Sequence, residues 1–119
     1  MIVLDSSSWK EFFIGSDKGA KIKEFIEKES VMTNSISLAE IADWARRNGL
    51  NESEIVMAVR KSSEVLTFSN DIAELAGKIN SEKNIGIANA LVYATASVYG
   101  LKVLSCNETF RSLENVEVI

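Results

Sequence analysis

Five short runs rich in β-branched residues alternate with longer stretches whose apolar positions recur at helical spacing, and few folds accept that pattern. The runs are Ile2-Val3-Leu4, Val31–Asn34, Val65–Phe68, Leu101–Leu104 and Val116–Ile119. Strands that alternate with helices predict an α/β fold, a three-layer α/β/α sandwich around a largely parallel five-stranded sheet. The first run is continuously apolar, as suits a strand buried on both faces, and a carboxylate, Asp5, ends it. Parallel sheets of this kind collect ligands outside the carboxyl ends of their strands. Asp5 therefore marks the rim where a site is expected. The last run is expected at a sheet edge.

The intervening stretches carry helix punctuation. Ser8-Trp9-Lys10-Glu11 and Ser37-Leu38-Ala39-Glu40 read as capping boxes, and Asn51 with Glu54 as a third start. Gly15 and Gly19 interrupt the first stretch, and a helix resumes over residues 20–29 with Ile22, Phe25 and Ile26 on one face. Leu38, Ile41, Ala42 and Ala45 form the next stripe, closed near Asn48-Gly49. Ile55, Val56 and Val59 follow. Ser69 or Asn70 caps a helix bearing Ile72, Leu75, Ala76 and Ile79. Residues 85–99 are alanine-rich, the least polar helix, and stop at Gly100. A short helix is expected within 108–113. With no repeat and no linker, residues 1–119 are expected to form one domain.

Histidine is absent, which excludes histidine metal ligands, Ser-His-Asp triads and Cys-His pairs. Hydrolysis would need carboxylates and a hard metal ion. The single cysteine, Cys106, forms no internal disulfide and suits a reducing compartment. No apolar run approaches a membrane span, and the start of the chain lacks the pattern of a signal peptide, so a cytoplasmic protein is expected. A net charge of −4 argues against polyanion binding through the overall field. A local basic patch or a bridging metal ion still permits contact with nucleic acid.

Several polar residues fall at the expected rim: Asp5, Glu40, Asn89, Ser105 and Asn107. They sit in four segments, Ile-Val-Leu-Asp at 2–5, Ser-Leu-Ala-Glu at 37–40, Ile-Ala-Asn-Ala-Leu-Val-Tyr-Ala-Thr-Ala at 87–96 and Val-Leu-Ser-Cys-Asn-Glu-Thr-Phe at 103–110. In this order and spacing the segments resemble the PIN domain, the metal-dependent nuclease fold of VapC-type toxins and related RNA-processing proteins. The resemblance implies a site of four acids that binds Mg²⁺ or Mn²⁺ and activates water for phosphodiester cleavage. It implies RNA as substrate, a small antitoxin as partner and a homodimer as the assembled form. Asp5 matches the first acid and Glu40 the second. Asn89 stands where the family usually has aspartate, and Asn107 at the more variable fourth position. Ser105 matches a serine or threonine often found beside the metal, and Ser6 is a further supporting residue.

Two amides in place of two carboxylates halve the charge offered to a cation. A pair of Mg²⁺ ions, about 3.5–4 Å apart in two-metal sites, would be poorly neutralised. One ion, recruited together with the phosphate of bound RNA, is compatible with what remains. Asp43, one turn beyond Glu40, is a candidate to compensate, as are Asp71 and Glu108. Simpler roles stay open for each residue: strand-end cap for Asp5, third capping-box position for Glu40, turn or helix-start polar group for Asn89, Ser105 and Asn107. A catalytically silent domain that binds RNA or protein is the alternative function. Trp9 and Trp44 suit a core or an interface better than base stacking, and Arg46-Arg47, Arg60-Lys61 and Lys102 suit a solvated face.

Overall fold

The computed structural model describes residues 1–119. Its strands are β1 (Ile2–Leu4), β2 (Val31–Asn34), β3 (Glu64–Leu66), β4 (Lys102–Ser105) and β5 (Val116–Val118). Its helices are α1 (Ser6–Ile14), α2 (Asp17–Lys28), α3 (Ser35–Arg47), α4 (Glu52–Ser62), α5 (Asn70–Lys83) and α6 (Ile87–Tyr99), with a 3₁₀ turn at Glu108–Phe110. The sheet runs β3-β2-β1-β4-β5 and every adjacent pair is parallel. The expected fold class is the observed one, with β5 at an edge and β3 at the other.

Alternation along the strands divides the core. Ile2, Leu4, Val31 and Leu104 pack with Trp9, Ile22, Ile41 and Val59 from α1 to α4. Val3, Met32 and Val103 point the other way, against Val92 and Ala96 of α6. Small side chains on α6 let it lie close to the sheet, and Ala90 and Ala94 meet Ile72 and Ala76 of α5 on its outer side. No helix is long and apolar enough to cross a membrane.

The punctuation differs from the sequence expectation at two starts. The cap of α1 is Asp5, whose side chain accepts from the Ser8 amide, so Ser8 lies inside the helix. The cap of α3 is Asn34, whose side chain accepts from the Ile36 amide, so Ser37–Glu40 is not a capping box. A carboxylate or amide directly after a strand is already aimed at the free amides of the next helix, and it forestalls the later serine. Asn51 and Ser69 cap α4 and α5 as read. Gly15 closes α1 in the left-handed region. Gly19 breaks nothing: it lies within α2, and a Cβ there would stand 2.1 Å from the Glu11 carbonyl oxygen of α1. It permits the close crossing of the two helices.

The order of strands fixes where a site can form. From β1 the chain moves outward through β2 to β3, then returns to the far side of β1 for β4. The switch point lies between β1 and β4, and the crevice sits at their carboxyl ends. Asp5 and Ser105 occupy those two ends.

Candidate functional site

The Asp5 carboxylate is the centre of a compact hydrogen-bond cluster. It is 3% exposed and accepts the Ser8 amide at 2.9 Å as cap of α1. The Ser7 hydroxyl approaches its two oxygens at 2.7 and 2.9 Å. Ser105, at the end of β4, donates to Oδ2 at 2.6 Å. The loop after β4 closes the cluster: the Cys106 amide donates to Ser7 Oγ and the Asn107 amide to Ser105 Oγ, both at 2.9 Å. Ser8 Oγ donates to the Leu104 carbonyl, which ties α1 to β4 once more. Three of these bonds join residues about a hundred positions apart, so the cluster is part of the fold.

Glu40 reaches the same place from α3. Ser6, the residue after Asp5, donates to Glu40 Oε1 at 3.1 Å. With Asn34 as cap, Glu40 sits in the second turn of the helix, so no backbone amide of the helix start claims its carboxylate. The capping alternative for Glu40 is thereby removed.

Asn89 lies in the first turn of α6. Only Gly100 and Leu101 separate α6 from β4, so the end of α6 is at the amino edge of the sheet and its start at the carboxyl edge. That places Asn89 at the rim that holds Asp5. Its amide nitrogen donates to the Ile85 carbonyl at 2.7 Å, which leaves the carbonyl oxygen as its ligating atom. Asn107 caps the 3₁₀ turn: its side-chain oxygen accepts the Thr109 amide at 3.0 Å. Asp43 is exposed and paired with Arg47 at 2.9 Å.

Ser7 was not singled out by sequence. It is the second of three serines, and only the fold shows that its hydroxyl bridges Asp5 and the loop after β4. A serine two residues after a capping aspartate was the available signal. Cys106 is half-buried, and burial pushes its thiol up. Trp9 is wholly buried, with its indole nitrogen donating to Thr33 Oγ1 at 3.0 Å, so it belongs to the core. Arg46 pairs with Glu52, Arg111 with Glu108 and Lys102 with Glu117 on the surface.

The donor set at the rim is all oxygen: two carboxylates, an amide carbonyl and serine hydroxyls. That chemistry fits a hard cation such as Mg²⁺ or Mn²⁺. No three acidic or thiol side chains gather as a ready-made cage. The set fits one divalent ion that keeps several waters, and does not fit two.

A model of the PIN domain matches residues 2–116 of this chain. Among curated protein sequences none matches it. Among solved structures, a toxin-antitoxin complex from Klebsiella pneumoniae superposes with a TM-score of 0.84 at 21% identity, covering 99% of this chain and 97% of that one. VapC20 of Mycobacterium tuberculosis, a toxin that cleaves the sarcin-ricin loop, superposes with a TM-score of 0.80 at 21% identity, covering 99% and 98%. VapBC2 of Rickettsia felis, crystallised on a DNA fragment from its promoter, gives 0.75 at 16%, covering 100% and 98%. The fold of this chain is that of the VapC toxins, and the chain belongs to the PIN domain family.

Proposed function

We propose that this protein is a ribonuclease of the toxin type that works with a single Mg²⁺ or Mn²⁺ ion, at a rate limited by weak ion binding, and is restrained by a small antitoxin in the cytoplasm. The observation that carries the proposal is the Ser6–Glu40 hydrogen bond, which brings the second carboxylate to the residue beside Asp5 at the switch point of the sheet. Asp5, Glu40 and the Asn89 carbonyl would hold the ion, and the phosphate of the RNA would complete its shell. When bound, such an ion lowers the pKa of a water molecule and steadies charge on the phosphate. Asp5 keeps a fixed direction because Ser7, Ser8 and Ser105 all donate to it. Glu40 has one oxygen held by Ser6 and one free to orient the attacking water. Exposed apolar side chains on α4 and α6, among them Met57, Val98 and Tyr99, suit a homodimer contact and an antitoxin contact of the kind the toxin-antitoxin relatives have.

A second reading is a domain that binds RNA or protein without cutting. It is favoured by Asn107, whose side-chain oxygen is committed to the Thr109 amide, and by the missing charge at both amides. One experiment separates the two. Incubate single-stranded RNA with the protein and Mn²⁺, and compare D5N and N89D/N107D. Cleavage by the parent that D5N abolishes supports the ribonuclease. Cleavage by N89D/N107D alone supports the silent domain. No cleavage and no Mn²⁺ uptake by either, measured calorimetrically, overturns the ribonuclease and leaves the silent binding domain.

A further inference from the structure

Two wholly buried polar side chains, Asn34 and Thr95, join the helices that carry Glu40 and Asn89. Asn34 ends β2 and caps α3 through its side-chain oxygen, which accepts the Ile36 amide at 2.9 Å. Its amide nitrogen donates to Thr95 Oγ1 at 2.7 Å, across the core to α6. Thr95 in turn donates to the Leu91 carbonyl of its own helix at 2.7 Å. Both side chains are 0% exposed. One amide group thus uses its two ends on two different helices. Glu40 lies six residues after Asn34, and Asn89 six residues before Thr95.

We propose that Asn34 and Thr95 are positioning residues that set the distance between α3 and α6 beneath the rim that carries Asp5, and so the fit of Glu40 and Asn89 to one cation. The proposal rests on the single-ion reading above. A buried amide with no partner is costly, so the pair holds in one geometry rather than several. Apolar contacts between α3 and the sheet can slide by small amounts, whereas this bond fixes the register of α3 against α6. Ser105 and Ser7 do the same for Asp5 from the β4 side, but nothing else ties α3 to α6 by a side-chain bond of this length within the core.

The test uses T95V, which keeps the shape and removes the hydroxyl, and T95S, which keeps the hydroxyl. Both are made in the parent and in N89D/N107D, whose added charge favours ion binding. Mn²⁺ affinity by calorimetry is expected to fall about tenfold in T95V and to stay within about twofold in T95S, the range in which groups behind metal ligands act. Hydrogen exchange at the Ile36 and Ser37 amides is expected to speed up in T95V although the change lies in α6. Unchanged Mn²⁺ affinity in a folded T95V overturns the proposal. If N89D/N107D takes up no Mn²⁺, the single-ion reading fails instead, and the spacing role then stands or falls on the exchange of α3. Should T95V not fold, N34S carries the same expectations, since it keeps a capping oxygen for the Ile36 amide and cannot reach Thr95.

Discussion

Two glycines in helices make opposite demands, and the same substitution should separate them. Gly19 lies in α2 where it crosses α1, and Gly77 lies in α5 facing solvent. Alanine raises helix propensity at either position by about 1 kcal/mol at most. At Gly77 nothing lies within 4 Å of the added Cβ, so the propensity acts alone. G77A is expected to stabilise by about 0.5–1 kcal/mol. At Gly19 the Cβ would stand 2.1 Å from the Glu11 carbonyl oxygen and 3.2 Å from Phe12 Cα. Those are backbone atoms, which cannot swing aside as a side-chain tip does. The helices must part by roughly 1 Å, and that loosens Trp9, Phe12 and Phe13 packed beneath α2. Overpacking of this kind costs about 1–3 kcal/mol or more, which exceeds the propensity gain. G19A is expected to destabilise by about 2 kcal/mol, lowering the melting temperature by roughly 6–10 °C, with G77A raising it by roughly 2–4 °C. Urea unfolding followed by circular dichroism gives both values. The sites are far apart, so the double variant should equal the sum. A G19A protein as stable as the parent would refute the inference that helix crossing, not a chain break, is the reason for that glycine.

Other substitutions probe the pocket and the core. D5N should keep the cap of α1, because asparagine caps as well as aspartate, and cost about 1 kcal/mol for weaker hydrogen bonds, whereas D5A should cost about 3 kcal/mol by leaving Ser8 N and Ser105 Oγ without their acceptor. Equal melting temperatures for D5N and D5A would contradict that ordering. W9F should cost about 2–3 kcal/mol through lost volume and the lost bond to Thr33, read as a lower denaturant midpoint. Burial raises the Cys106 thiol above its ordinary value, so the thiolate is scarcer than normal at neutral pH. Its alkylation by iodoacetamide should be slower than that of free cysteine at pH 7.5 and rise only as the pH passes above the usual thiol range; a rate that levels off at or below that range counts against the buried placement.

The fold was legible because its signals are local and agree with one another. Ile2-Val3-Leu4 can be little but a strand, Gly100 can be little but a helix stop, and α6 declares itself by alanines that only close packing on a sheet explains. The helix starts were less legible. Ser8 and Ser37 looked like caps because a serine three residues before a glutamate is a real capping pattern, but Asp5 and Asn34 stood earlier and took the free amides first. Gly19 read as a break since propensity alone sees a weak helix former, and its close neighbour on α1 is a tertiary fact. At the site, Asp5, Glu40 and Ser105 followed from topology and motif. Ser7, Asn34 and Thr95 did not, because what matters about each is a hydrogen bond to a residue sixty to a hundred positions away.

On the proposed reading, this cluster carries less charge than a four-acid site while its own bonds stay complete. The bonds that assemble it use hydroxyls and backbone amides as donors and Asp5 as their shared acceptor. Asn89 and Asn107 are tied down by different atoms: the first by its amide nitrogen on the Ile85 carbonyl, the second by its oxygen on the Thr109 amide. An aspartate at 107 could accept the same bond. An aspartate at 89 could not donate to the Ile85 carbonyl and would set a carboxylate against a carbonyl oxygen unless a cation lay between them. The amide at 89 thus makes a contact in the ion-free protein that the family's usual residue cannot make, whereas the amide at 107 makes one that either residue would. Stability in the absence of metal therefore bears more heavily on position 89 than on 107. On the proposed reading the two positions differ in kind: an aspartate at 89 would trade the bond that closes the start of α6 for charge, and one at 107 would add charge alone.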